Sequence, residues 1–232
     1  VTFRDRFAEG EWYHCYNRGV DKRVLFKVKR DYERFLMLLY LSNSTKSVHL
    51  SNLGQGLKQG PTLPLVLEVK REDPLVYIGA YSLMPNHFHI LFKASDPKEA
   101  SRFMQKIATG YSMYFNKKYI RTGTLFEGRF KSRRIDSDIY FKRLLNYIHA
   151  NPAELFEPGW KKGVFKNEDK LKKYLSEYEF SSLPEYLEIN RPLSNIIDKQ
   201  KVIDMLEKPY SLENLLEEAR IFIQLKSRSD LA

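Results

Sequence analysis

Tyr81-Ser82-Leu83-Met84-Pro85-Asn86-His87-Phe88-His89-Ile90-Leu91-Phe92 is the stretch from which the architecture of this chain can be worked out. Pro85-Asn86 is a tight-turn pair, and apolar and aromatic residues flank it on both sides. The stretch therefore reads as two antiparallel strands meeting at a hairpin, the first over 75–84 and the second over 87–93. Along an extended strand, alternate side chains share a face. Phe88, Ile90 and Phe92 enter one core, while His87 and His89 stand side by side on the other face. Two adjacent imidazoles are half of a metal site, and the rest of the chain must supply what completes it.

Working outward, residues 12–18 read as an aromatic-rich first strand ending at Gly19, and 30–42 as a helix burying Phe35, Leu36, Leu38 and Leu39. From 43 to 64 the composition turns to Ser, Asn, Gly, Gln and Pro, the mark of a long surface loop or insertion. Gly54, Gly56 and Gly60 there have neither dinucleotide-fingerprint nor P-loop spacing, so a flexible loop is expected. Asp96-Pro97 is a helix start, a capping residue before a first-turn proline, and that helix can run to about residue 119. The Thr122-Gly123 turn then leads into a fourth strand over 124–135. Strand, helix, strand, strand, helix, strand is solved most economically as an α+β fold. That fold is a ferredoxin-like antiparallel sheet with helices on one face. Another helix follows Asp136-Ser137-Asp138 and stops near Asn151-Pro152, because proline disfavours helix in the residue before it. The charged remainder, broken by Pro184, Pro192 and Pro209, reads as a C-terminal helical extension. The expected division is 1–156, with 43–64 as an insertion, and 157–232.

With 43% hydrophobic and 14% aromatic residues, the 232-residue chain can build a substantial core. Its longest apolar run, 35–41, is far shorter than the ~20 residues of a membrane helix. The first residues are charged, so a soluble cytoplasmic protein with no membrane partner is expected. Cys15 is the single cysteine, which excludes an intrachain disulfide and any multi-cysteine metal site; in a strand it reads as a small apolar filler. A net charge of +10 points toward a polyanion. The charge concentrates in Lys117, Lys118, Arg121, Arg129, Lys131, Arg133 and Arg134, against the single acid Glu127, with Tyr119, Phe126 and Phe130 interleaved. Cations for phosphates beside rings for bases suit a single-strand groove, although a solvated basic face over core aromatics has the same pattern. Lys117, Arg121, Arg129, Lys131, Arg133 and Arg134 are the candidate phosphate contacts.

On the helix that follows, Phe141, Leu144, Leu145 and Ile148 form one apolar stripe. Tyr140, Tyr147 and Asn151 share one flank of it, Tyr147 and Asn151 being i, i+4 neighbours that can look into a cleft at the sheet edge. His149 falls on the opposite flank, so it should not share a site with Tyr147, and it is expected to be a surface or partly packed histidine.

Pro85-Asn86-His87-Phe88-His89, then Gly123-Thr124-Leu125-Phe126-Glu127-Gly128-Arg129-Phe130-Lys131, then Tyr147-Ile148-His149-Ala150-Asn151-Pro152, in that order, resemble the single-tyrosine HUH transposases of small insertion sequences. Among these the chain looks most like the REP-associated tyrosine transposases. The resemblance spans about 13–152 and implies an HUH nuclease domain within 1–156. It implies His87 and His89 as metal ligands and Tyr147 as nucleophile. Asn151 would be the third, side-chain-oxygen ligand, where relatives often carry Gln. The implied activity is metal-dependent single-stranded DNA cleavage and strand transfer through a 5′-phosphotyrosine, with DNA hairpins as the recognised element. The implied cofactor is Mg²⁺ or Mn²⁺, and two imidazoles with an amide oxygen suit Mn²⁺ at least as well. A phenol with an ordinary pKa of about 10 needs such help at neutral pH. The 43–64 segment departs from the compact family pattern. Tyr111 and Tyr114 are rival phenols, but aromatics on a helix facing a sheet are usually core, and Phe115 and Lys118 stand where an amide would be needed. Two other readings remain: a catalytically silent protein of the same fold that binds structured nucleic acid, and a hydrolase using the same histidines on RNA or a nucleotide. Relatives occur as monomers and as dimers, so a homodimer stays open.

Overall fold

Four strands, β1 (Trp12–Arg18), β2 (Val76–Met84), β3 (His87–Ala94) and β4 (Lys131–Arg134), form one antiparallel sheet in the order β2-β3-β1-β4. The structure is a computed structural model that describes residues 4–46, 48, 50–53, 60–206 and 210–229. Five principal helices accompany the sheet: α1 (Lys29–Ser42), α2 (Pro97–Lys118), α3 (Asp138–Ala150), α4 (Glu168–Glu177) and α5 (Leu215–Ser229). The α+β, ferredoxin-like expectation holds. β1 and β2 are separated in the sheet by β3, and α1 and α2 lie on one face.

Strand alternation decides what each face is made of. Phe88, Ile90 and Phe92 of β3 join Tyr13 and Cys15 of β1 in a core against Phe35 and Leu39 of α1 and Phe103, Ile107 and Tyr111 of α2. The interleaved residues Leu91, Trp12 and Ala80 face the other way. There they pack against the predicted stripe Phe141, Leu144, Leu145 and Ile148 of α3, and against Phe222 of α5. α3 thus covers the opposite face of the sheet from α1 and α2. α2 begins as its sequence dictates, with Asp96 accepting from the backbone N–H of Lys98 and Glu99 at 2.7 and 3.0 Å. Ser137 likewise caps α3 by accepting from the Tyr140 N–H.

Three expectations are corrected. The fourth strand does not run over 124–135 but only over Lys131–Arg134. Gly123 and Gly128 adopt positive φ of 82° and 110°, which turns the chain out of extended geometry, and the loop between them is held at the end of β1. The 43–64 stretch is not all loop: Leu50–Leu53 and Leu63–Leu67 are helical turns, while 47, 49 and 54–59, including Gly54 and Gly56, lie outside the described residues. His149 is not at the surface but fully buried.

Both sheet edges are covered, which removes unpaired backbone groups that would otherwise invite another chain. Residues 180–182 run along β2, with Leu83 N–H donating to the Phe180 carbonyl at 2.9 Å and Ser182 N–H to the Tyr81 carbonyl at 3.0 Å. Asp5 and Ser132 pair along β4 at 2.9 Å. In the middle of β2 the register shifts at Gly79, whose carbonyl accepts from the Tyr186 hydroxyl at 2.7 Å. Among the described residues, no helix is long and apolar enough to cross a membrane.

Candidate active site

The site lies on the α3 face of the sheet, where β3 and β1 present polar rings. The Met84–His87 pairing closes the hairpin, and the Pro85 carbonyl is pinned by the N–H groups of Leu25 and Phe26 at 2.7 and 3.0 Å. The turn therefore delivers His87 at a fixed place. His87 Nδ1 donates to Asn86 Oδ1 at 2.7 Å, which leaves Nε2 as the lone-pair nitrogen. Burial pushes the His87 pKa down to about 4, against a hydrogen bond with Asn151 that works in the other direction; Lys161 and Arg18 nearby add to the lowering. A neutral imidazole is the state a metal requires.

His89 is buried, and its ring stands 5.1 Å from that of His87 at an interplanar angle of 84°. Tyr147 comes down from α3 onto this pair. Its ring centroid is 5.5 Å from His89 and 4.9 Å from Phe222, so the phenol ring is held between the sheet and α5. Asn151 follows one turn later at the end of α3, buried, with Nδ2 donating to the Tyr147 carbonyl at 3.0 Å. The i, i+4 spacing read from the sequence thus brings Tyr147 to His89 and Asn151 to His87. Tyr111 and Tyr114 sit elsewhere. The first donates to the Leu25 carbonyl at 2.7 Å and the second to Asp31 at 2.9 Å, and burial raises the pKa of each well above the ordinary phenol value.

The residues fit a divalent ion. Among the described residues no group of three His, Cys, Asp or Glu could hold one, so a three-ligand set must recruit a neutral oxygen. The Asn151 amide, bonded to His87 and adjacent to Tyr147, is the group that could supply such an oxygen. Two nitrogens and one oxygen form a borderline donor set, suited to Mn²⁺ or Zn²⁺ more than to a hard all-oxygen ion.

The basic candidates separate by face. Lys131 and Arg133 pair in register with Tyr16 and His14, so both stand on the side of Tyr147. Lys131 Nζ lies 5.8 Å from the Tyr16 ring, which in turn is 5.8 Å from His89. Arg134 alternates to the other face and pairs with Glu11 at 3.4 Å. Lys117 lines a groove between α2 and α1, across the sheet from Tyr147. Arg121 is tied to Asn116 Oδ1 at 2.8 Å, and Arg129 is exposed in the loop before β4.

His14 was missed by sequence reasoning. It is 2% exposed, its Nε2 lies 2.8 Å from His89 Nδ1, and its ring is 6.5 Å from that of Tyr147. Once 12–18 is read as a strand, the alternation Trp12, His14, Tyr16 puts these three on one face. That such a face would meet the paired histidines depends on β1 lying beside β3, which no local pattern states.

Residues 63–151 match the family model described as Transposase IS200 like. The match takes in β2, β3, α2, β4 and α3, and with them His87, His89, Tyr147 and Asn151, but not β1. Among solved structures the chain is similar to a REP-associated tyrosine transposase bound to a REP hairpin. The two are 14% identical with a TM-score of 0.50, over 92% of this chain and 95% of that one. At that identity the likeness concerns the fold. No curated protein matches the chain by sequence.

Proposed function

We propose, from the match of residues 63–151 to the IS200-like transposase model, that the chain is a member of that family and a metal-dependent single-stranded DNA endonuclease and strand transferase with Tyr147 as nucleophile. The observation that carries this reading is the meeting of two distant elements, the Tyr147 ring of α3 standing 5.5 Å from His89 of β3. His87, His89 and Asn151 would hold Mn²⁺ or Mg²⁺, and the bound ion would polarise the scissile phosphate and offset the charge that develops on it.

The chain's own groups supply the rest. Tyr147 Oη forms a bond to phosphorus while the bond from phosphorus to the 3′ oxygen breaks. The phenol gives up its proton and the departing 3′ oxygen takes one, leaving a 5′-phosphotyrosine and a 3′-hydroxyl. The phosphotyrosine keeps the bond energy for rejoining, which fits strand transfer better than digestion. His89 on one side and Phe222 on the other hold the phenol ring, so little orientational freedom remains to be lost at the reacting step. Lys131 and Arg133, on the same face, are the proposed contacts to phosphates beside the cleaved bond. Lys117, Arg121, Arg129 and Arg134 are proposed as contacts to the rest of a folded DNA hairpin. We assign the chemistry to 1–156 and a supporting role to 157–232, from which Phe222 comes. We place the protein in the cytoplasm with its DNA.

The test is incubation of labelled single-stranded hairpins with Mn²⁺ or Mg²⁺, followed by denaturing electrophoresis. The expected product is the 3′-side fragment joined to the protein through its 5′ phosphate, beside a released 5′ fragment ending in a 3′-hydroxyl, and the adduct disappears in Tyr147→Phe and with chelator. A covalent adduct that survives Tyr147→Phe refutes the assignment. A shifted but uncleaved hairpin favours a silent binding protein, and a free 5′-phosphate favours a hydrolase.

A further inference from the structure

We propose that His14 is a positioning residue of this site: it accepts the Nδ1 proton of His89 and thereby keeps the Nε2 lone pair of His89 directed outward for a divalent ion. The proposal rests on the metal reading of the site given above and adds to it a residue that lies outside the matched residues 63–151.

The argument starts from the pairing of strands. β1 lies beside β3 with Tyr16 opposite His89 and His14 opposite Leu91, so His14 is the diagonal neighbour of His89 on the same face. The two rings are nearly parallel, 5.0 Å apart at an interplanar angle of 27°, and Tyr16 stacks 4.8 Å from His14. His14 is 2% exposed and His89 5% exposed, so water competes little for the bond between them.

A neutral imidazole carries one proton on its two nitrogens. The 2.8 Å contact between His14 Nε2 and His89 Nδ1 therefore has two neutral forms. In one, His14 donates, and the proton of His89 must then sit on Nε2, where it blocks coordination. In the other, His89 Nδ1–H donates to His14, and Nε2 of His89 is bare. Only the second is compatible with a ligand at His89.

The neighbouring histidine indicates which form the site is built for. The Nδ1–H of His87 meets Asn86 Oδ1, an oxygen that can only accept, so His87 presents Nε2. Each of the paired histidines thus has a partner at Nδ1, an amide oxygen for His87 and an imidazole nitrogen for His89. Outer partners of this kind fix the tautomer and ring orientation of a ligand, and losing one typically costs about 10–100-fold in metal affinity.

Two measurements test this on the full chain. Long-range proton–nitrogen NMR on the metal-free protein is expected to show His89 protonated at Nδ1 and bare at Nε2. Calorimetric titration with Mn²⁺ is expected to give an affinity about 10–100-fold weaker for His14→Phe. His14→Gln, whose amide oxygen can still accept, is expected to stay within about 3-fold of the unaltered protein. The proposal is overturned if His89 carries its proton on Nε2, if His14→Phe binds Mn²⁺ as tightly as the unaltered chain, or if the Gln and Phe variants lose equally. Should His14→Phe fail to fold, the NMR tautomer and the Gln variant still decide. If His89→Ala binds Mn²⁺ undiminished, the metal reading itself fails. That outcome is distinct from a chain that needs His89 for Mn²⁺ but not His14.

Discussion

His149 is sealed between two hydroxyls, its Nδ1 2.9 Å from Tyr210 and its Nε2 2.9 Å from Ser182. Burial pushes its pKa down to about 3. An unfolded histidine titrates near 6.5, so the folded state prefers the neutral ring, and the stability this provides is complete above about pH 6.5. It is lost as pH falls from there toward 3, by on the order of a few kcal/mol over the whole interval. Denaturant unfolding at pH 7, 5 and 4 is expected to show this decline, and His149→Gln to flatten it while lowering stability at pH 7. Asp31 shows the opposite case. Burial would raise its pKa, yet hydrogen bonds from Lys118, Tyr119 and Tyr114 hold it below the ordinary carboxylate value. Asp31→Ala would strand these donors and is expected to cost about 3 kcal/mol, read from the shift in denaturant midpoint. Period-two alternation made the facing of His87 and His89 legible from sequence. The burial of His149 was not legible, because residues 182 and 210, far along the chain, supply its surroundings.

At the scale of elements, α2 and α3 came through in sequence because their starts are written in the capping residues Asp96 and Ser137, and α1 because of its apolar spacing. β4 was over-read, since Leu125, Phe126 and Phe130 look like strand residues locally. All three are buried in the core that packs under α1 and α2, but they reach it from a looped backbone. Packing, not propensity, placed them. The attachment of the C-terminal extension to the sheet turns on Gly79. A Cβ there would lie 2.7 Å from Val202 and 2.8 Å from Trp12. Gly79→Val is therefore expected to force the segment around Val202 off the sheet. It should cost about 1–3 kcal/mol and increase hydrogen exchange in 196–204 before it does so in β3.

For the molecule as a whole, a net charge of +10 predicts that the proposed hairpin binding weakens steeply with salt. Arg133 and Lys131 stand on the Tyr147 face, so Lys131→Ala is expected to lower the slope of log affinity against log salt by about 0.7, with little change in stability. Binding titrations at several salt concentrations check this; an unchanged slope would remove Lys131 from the phosphate contacts.

The sequence by itself determined the alternating strands, the capped helices, the facing of the paired histidines and the spacing of Tyr147 to Asn151, because each of these is set by neighbours within a few residues. Only the tertiary structure decided that β1 would bring His14 to His89, that Phe222 would back the phenol, and that the basic residues of 117–134 would divide between two faces. Those outcomes depend on sheet order and on burial between segments distant in the chain, where strand pairing and close packing choose partners that local pattern does not specify.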